Sequence, residues 1–99
     1  WMDADEAARW GLVNEVLADG EALEARVWDI ARLLESGPPL VFASIKEVAR
    51  EAEGEKFQDV MNSVTKRKLR TVDVLYGSED NLEGFKAFAE KRDPVWKGR

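Results

Sequence analysis

Between Asp19-Gly20 and Gly37-Pro38-Pro39 the chain places Leu23, Val27, Ile30 and Leu34 at intervals of four, three and four residues. That spacing lines all four along one stripe of an α-helix, whereas a strand would need an interval of two. The ends are as restrictive as the stripe. Asp19 suits a helix cap, Gly37 suits a helix end, and Pro39 suits the first turn of the next helix. The same punctuation recurs along the sequence. Asp3 and Asp5 precede Glu6 to Trp10, and Gly11 follows, which marks a short first helix. Leu12 to Val16 reads as an extended connector, compatible with one strand but too short and isolated to build a sheet.

A third helix is expected from Leu40 to Glu53, with Val41, Ser44, Ile45, Val48 and Ala52 on one side and Gly54 after it. A fourth is expected from about Glu55 to Tyr76, with Phe57, Val60, Met61, Val64, Val72 and Leu75 as its apolar face. The run Lys66 to Arg70 interrupts that face with charge. Ser78 is placed to cap a fifth helix reaching about Arg92, whose inner side would be Leu82, Phe85, Phe88 and Ala89; Asp93-Pro94 stops it. The expected fold is therefore all-α, with about five helices joined by short loops into one packing unit.

Composition narrows the chemistry. The 99 residues include 15 Lys and Arg against 20 Asp and Glu, a net charge of −5, and neither His nor Cys. Imidazole bases, Ser-His-Asp triads, thiolate nucleophiles, disulfides and Cys-based zinc sites are all excluded within these residues. Any acid–base work would fall to carboxylates, Lys or the single Tyr76. The acidic balance argues against a duplex nucleic-acid partner. The longest apolar stretch, Pro38 to Ser44, is far short of a membrane span. The lack of Cys fits a reducing cytoplasm, which is the expected location.

Few features stand out as chemistry. The basic run Lys66 to Arg70 could meet phosphate, but a solvated helix segment explains it as well. The acid pairs Asp3/Asp5 and Glu79/Asp80 sit at expected helix starts, where capping accounts for them. No EF-hand loop, Gly-x-Gly-x-x-Gly or Walker loop is present. The aromatic residues fall at helical spacing and read as core.

Three segments taken together are more specific. They are Ala4 to Val16, Pro38-Pro39-Leu40 followed by Ile45-Lys46-Glu47, and Ser78 to Arg99. Their order and spacing resemble the C-terminal helical part of the crotonase (enoyl-CoA hydratase/isomerase) superfamily, over essentially the whole chain. The sharpest element is the pattern Glu83-Gly84-x-x-Ala87-Phe88-x-Glu90-Lys91-Arg92, and the closing Phe88 to Arg99 is similar to the terminus of one dehydratase branch.

This resemblance implies a C-terminal helical, trimerisation region without the N-terminal β-β-α spiral, which in the family carries the oxyanion hole and the catalytic Glu residues. No catalytic residue is therefore expected among these 99, and Glu6, Glu15 and Glu21 match no catalytic position. The resemblance implies a parent enzyme that adds or removes water across the α,β bond of a CoA thioester, assembled as a trimer or a dimer of trimers. It implies no metal and no cofactor beyond the CoA of the substrate. Phe88 and Lys91 match the family residues that lie near the CoA adenine and phosphates; Arg92 is a weaker phosphate candidate. An aromatic face suits adenine and an ammonium suits phosphate, and residues three apart share a helix face.

Trp1 followed by Met2 is expected to mark a piece of a longer protein, inactive alone. Exposed Leu12, Val41, Phe42 and Ile45 would then favour self-association. A stand-alone helical interaction module is the alternative reading, and an anionic-ligand binder using Lys66 to Arg70 a weaker one, which salt-dependent RNA binding would favour.

Overall fold

A computed structural model describes all 99 residues and contains only helices. In order these are α1 (Ala4–Arg9), α2 (Gly20–Glu35), α3 (Pro39–Gly54), α4 (Phe57–Thr65), α5 (Arg70–Tyr76) and α6 (Glu79–Glu90). The all-α expectation holds. The contacts divide into two compact units, Trp1–Glu35 and Ser36–Arg99, rather than the single packing unit expected.

In the first unit the caps are those the sequence announces. Asp3 Oδ1 accepts from Glu6 N at 2.7 Å, and Asp19 Oδ1 accepts from Ala22 N at 2.8 Å. α1 ends in a turn in which Leu12 N donates to Ala7 O and Gly11 N to Ala8 O, with Gly11 at φ 72°. This left-handed closing turn asks for a residue without a Cβ, and Gly supplies it. The connector that follows is turn and bend, with no strand. It has no strand to pair with, and Glu15 is instead tied to α2 by Arg26 Nε at 2.8 Å. None of the sixteen residues of α2 is buried. Its stripe of Leu23, Val27, Ile30 and Leu34 is real, but every member is at least 40% exposed.

In the second unit α3 packs chiefly against α5, with α4 beside it, and α6 packs on α5. The core is small: Val60, Leu69, Val72 and Ala87, joined by the polar residues Ser44, Ser78 and Asp80. The expected helix over 55–76 is two helices. Val60 and Leu69 are nine positions apart, about two and a half turns, so a straight helix would point them in opposite directions. Both are buried here because the chain breaks between Thr65 and Arg70. The break repeats the α1 ending: Lys68 N donates to Ser63 O, Arg67 N to Val64 O, and Arg67 stands at φ 51° with its guanidinium 4.7 Å above the Tyr76 ring. The start of α5 has no cap of its own. Glu47 of α3 supplies one, accepting from Thr71 N at 2.8 Å and from the Thr71 hydroxyl. These two bonds, the hydroxyl's first, hold the Glu47 carboxyl below its ordinary range. Ser44 Oγ lies 2.9 Å from Leu40 O and 3.0 Å from Thr71 O, a second link from α3 to α5.

α6 turns a different side inward than its apolar pattern indicates. Leu82 and Phe85 are each 70% exposed and Phe88 is 86% exposed. The inward side is Asp80 and Ala87, both buried, with Asn81 and Gly84 half-buried. Small and polar residues face inward because the chain after α6 folds back along this side. Trp96 lies against Gly84, where an added Cβ would come within 3.4 Å of the indole. No helix of the molecule is long and apolar enough to cross a membrane.

Candidate functional site

The last turn of α6 and the residue after it carry the two sequence-predicted site residues. Phe88 lies in that last turn with its ring almost wholly in solvent. Lys91 follows the helix at φ 53°, ψ 43°, the left-handed cap position, rather than inside a helix reaching Arg92. The turn is closed by Arg92 N donating to Ala87 O at 3.1 Å and Lys91 N to Phe88 O at 3.3 Å. Lys91 is exposed and its ammonium has neither a hydrogen bond nor an ion pair.

Arg92, expected as a weaker phosphate candidate, is instead fully engaged. Its Nη1 and Nη2 donate to the two carboxylate oxygens of Glu83 at 2.6 and 3.0 Å, its Nε donates to Glu90 at 2.6 Å, and Nη1 also reaches Asp93 O. Such a fork-to-carboxylate pair is both directional and strong for its class. Glu83 accepts in addition from Val95 N at 2.9 Å. The Arg92 guanidinium, and after it the Val95 N–H, hold the Glu83 carboxyl down from 4.5 to about 2. The folded state thus favours the ionised carboxylate, so its contribution is complete above pH 4.5 and is lost as the pH falls toward about 2. Acid titration followed by amide and indole NMR is expected to release Val95 and Trp96 across that window. A Val95 amide that stays protected to pH 2 would contradict this.

Beyond Arg92 the chain forms a strap along α6. Asp80 Oδ1 accepts from Lys97 N at 2.7 Å, Oδ2 accepts from Gly98 N at 2.8 Å, and Asp80 N donates to Arg99 O at 3.1 Å. Glu79 pairs with Lys97 Nζ at 3.2 Å. Glu79 and Asp80 stand in the first turn of α6 as expected, and Ser78 Oγ caps the helix through Asn81 N at 3.0 Å; beyond that expectation, both acids also grip the strap. A cleft of about 280 Å³ lies beside it, between the start of α3 and α6, with Val41, Leu75, Tyr76, Phe85 and Trp96 in its walls.

The other sequence candidates do not converge on this place. Glu6 and Glu21 sit in the first turns of α1 and α2, and Glu15 is paired with Arg26. The Lys66–Arg70 run is split by the α4–α5 break, and Arg67 is turned onto Tyr76. No group of three or more His, Cys, Asp or Glu side chains is close enough to hold a metal ion. Sequence reasoning named Glu83 and Asp80 but missed that they hold the returning chain. The available signal was an acid on the α6 side that also carries Gly84 and Ala87, all small or anionic and so suited to a returning backbone.

Comparison with known proteins places this arrangement. The enoyl-CoA hydratase/isomerase family model matches residues 1–99. A carnitinyl-CoA dehydratase of Salmonella heidelberg is 41% identical over 98 residues, covering 99% of this chain and 37% of that protein. One from Citrobacter koseri is also 41% identical over 98 residues, again covering 37% of that protein. Among solved structures, an enoyl-CoA hydratase from Bacillus anthracis superposes with a TM-score of 0.81 at 28% identity, over 97% of this chain and 35% of that one. Another from Mycobacterium marinum gives 0.79 at 30%, over 99% and 37%. The chain thus spans about 37% of the length of the curated relatives it matches. With helices, closing motif and whole-length match in agreement, the chain belongs to the enoyl-CoA hydratase/isomerase family and carries the C-terminal helical part of its crotonase fold.

Proposed function

We propose that this chain is the helical part of an acyl-CoA hydratase or dehydratase, of the carnitinyl-CoA dehydratase kind, and that it supplies CoA contacts and subunit association rather than the reacting groups. The observation that carries the reading is the pair at the end of α6. Phe88, 86% exposed, has no packing role that would explain a ring there. Lys91 beside it is an unpaired cation at a helix C-terminus. An adenine face on Phe88 and a phosphate on the Lys91 ammonium would occupy both. The exposed faces of α2 and α3, including Leu23, Val27 and Ile45, are the surfaces proposed to meet the rest of a homo-oligomeric enzyme.

The test is an NMR titration of the isotope-labelled chain with coenzyme A, which this reading expects to shift Phe88 and Lys91. Two contacts alone give weak affinity, on the order of millimolar. Phe88→Ala and Lys91→Ala are each expected to weaken it about tenfold. The same chain is expected to leave crotonyl-CoA unhydrated. Turnover above background would overturn the division of labour, and a spectrum indifferent to CoA would favour the stand-alone interaction module.

A further inference from the structure

Three helices of this chain close with the same left-handed turn, and they fill its critical position differently. α1 uses Gly11 at φ 72°, α4 uses Arg67 at φ 51°, and α6 uses Lys91 at φ 53°. A residue with a Cβ is strained there, which is why Gly is the usual choice. Arg67 has a contact that offsets the strain, its guanidinium lying over Tyr76. Lys91 has no such contact; the helix C-terminus attracts its charge, but Gly would remove the strain altogether. A strained residue persists where its neighbours over-determine it. Around Lys91 they do so. Arg92 is fixed to Glu83 by two bonds, to Glu90 by one and to Asp93 O by one, and the same Glu83 holds Val95 N. The residues before and after Lys91 are thus both tied down, the later ones to a carboxylate two turns back along α6.

We propose that Glu83 and Arg92 are positioning residues, whose ion pair holds Lys91 in its left-handed conformation and so presents the Lys91 ammonium and the Phe88 ring together to the nucleotide end of a CoA thioester. This rests on the CoA reading above and adds to it a part that touches no ligand. It also makes a prediction of unusual sign. Glu83→Gln removes a negative charge near a polyanion, so electrostatics alone would tighten CoA binding. Loss of positioning weakens it.

The experiment is a double-mutant cycle on the full chain, read by coenzyme A titration at fixed salt and by backbone NMR couplings of Lys91. Wild type, Glu83→Gln, Lys91→Ala and the double variant are compared, with Arg92→Lys as the conservative variant of the partner. Glu83→Gln is expected to weaken CoA about fivefold in the wild-type background and to have no further effect once Lys91 is Ala. Arg92→Lys, which keeps the charge and loses the fork, is expected to behave like Glu83→Gln. The Lys91 couplings should leave the left-handed range in both. Tighter or unchanged CoA binding in Glu83→Gln overturns the proposal, as does a loss that adds to that of Lys91→Ala, or a Lys91 that stays left-handed without the pair. If the wild type binds no CoA at all while its Lys91 couplings still depend on Glu83, the CoA reading fails and takes the ligand half of this proposal with it. The two failures are thereby told apart.

Discussion

Asp80→Ala is expected to free the strap and to lower the stability of the second unit by about 3 kcal/mol, the lower end for two hydrogen bonds to a charged acceptor. Asp80 is 3% exposed, and both its oxygens accept backbone N–H groups, from Lys97 and Gly98. Alanine leaves those donors to find water and exposes the α6 side on which Trp96 rests. Asp80→Asn keeps one acceptor oxygen and is expected to lose about half as much. Urea denaturation gives the change in midpoint, and the Trp96 indole resonance reports the strap directly. An unchanged midpoint with an unmoved indole would show that Asp80 does not anchor it.

A larger effect is expected from Val72→Asp. Val72 is 3% exposed on α5, on the side that meets α3, beside Val41, Val48 and Leu75. No cation faces this apolar seam, so the carboxylate would be buried without a partner at a cost of several kcal/mol. That is comparable with the entire stability expected of some 64 residues, about 3–9 kcal/mol at the usual per-residue values. Residues 36–99 should therefore lose their cooperative unfolding transition by circular dichroism. Val72→Ala, which only opens a small void, is expected to cost about 2 kcal/mol and to keep the transition. A native, cooperative Val72→Asp would mean that the α3–α5 seam is not the centre of the core.

What the sequence disclosed and what it withheld follow a physical line. Helix ends were legible because they depend on neighbours within four residues: Asp3, Asp19 and Ser78 all cap as expected. The inward side of α6 was not, because apolar periodicity assumes that a helix buries its own hydrophobic stripe. Here Leu82, Phe85 and Phe88 face solvent, and Gly84 and Ala87 face a returning backbone seventeen or so residues ahead of its partners in Asp80. The break at Lys66–Arg70 was visible as an interruption in the apolar face, but its meaning required knowing that Val60 and Leu69 are both buried. For the candidate site, Phe88 and Lys91 came from family resemblance and not from any local rule. The role of Glu83 was invisible because its partners, Arg92 and Val95, are nine and twelve residues away.

The uncovered stripe of α2 has a consequence for how this chain responds to temperature. The heat capacity change of unfolding comes mostly from apolar surface entering water, about 12–15 cal/mol/K per residue in proteins that bury their side chains normally. Leu23, Val27, Ile30 and Leu34 already stand 40–53% exposed in the native state, so much of their hydration is in place before unfolding begins. These residues therefore lower the heat capacity change of the chain by itself, and its stability curve is expected to be flatter than that of a chain that buries the same stripe. Covering that stripe would restore the missing curvature, and a calorimeter would register it.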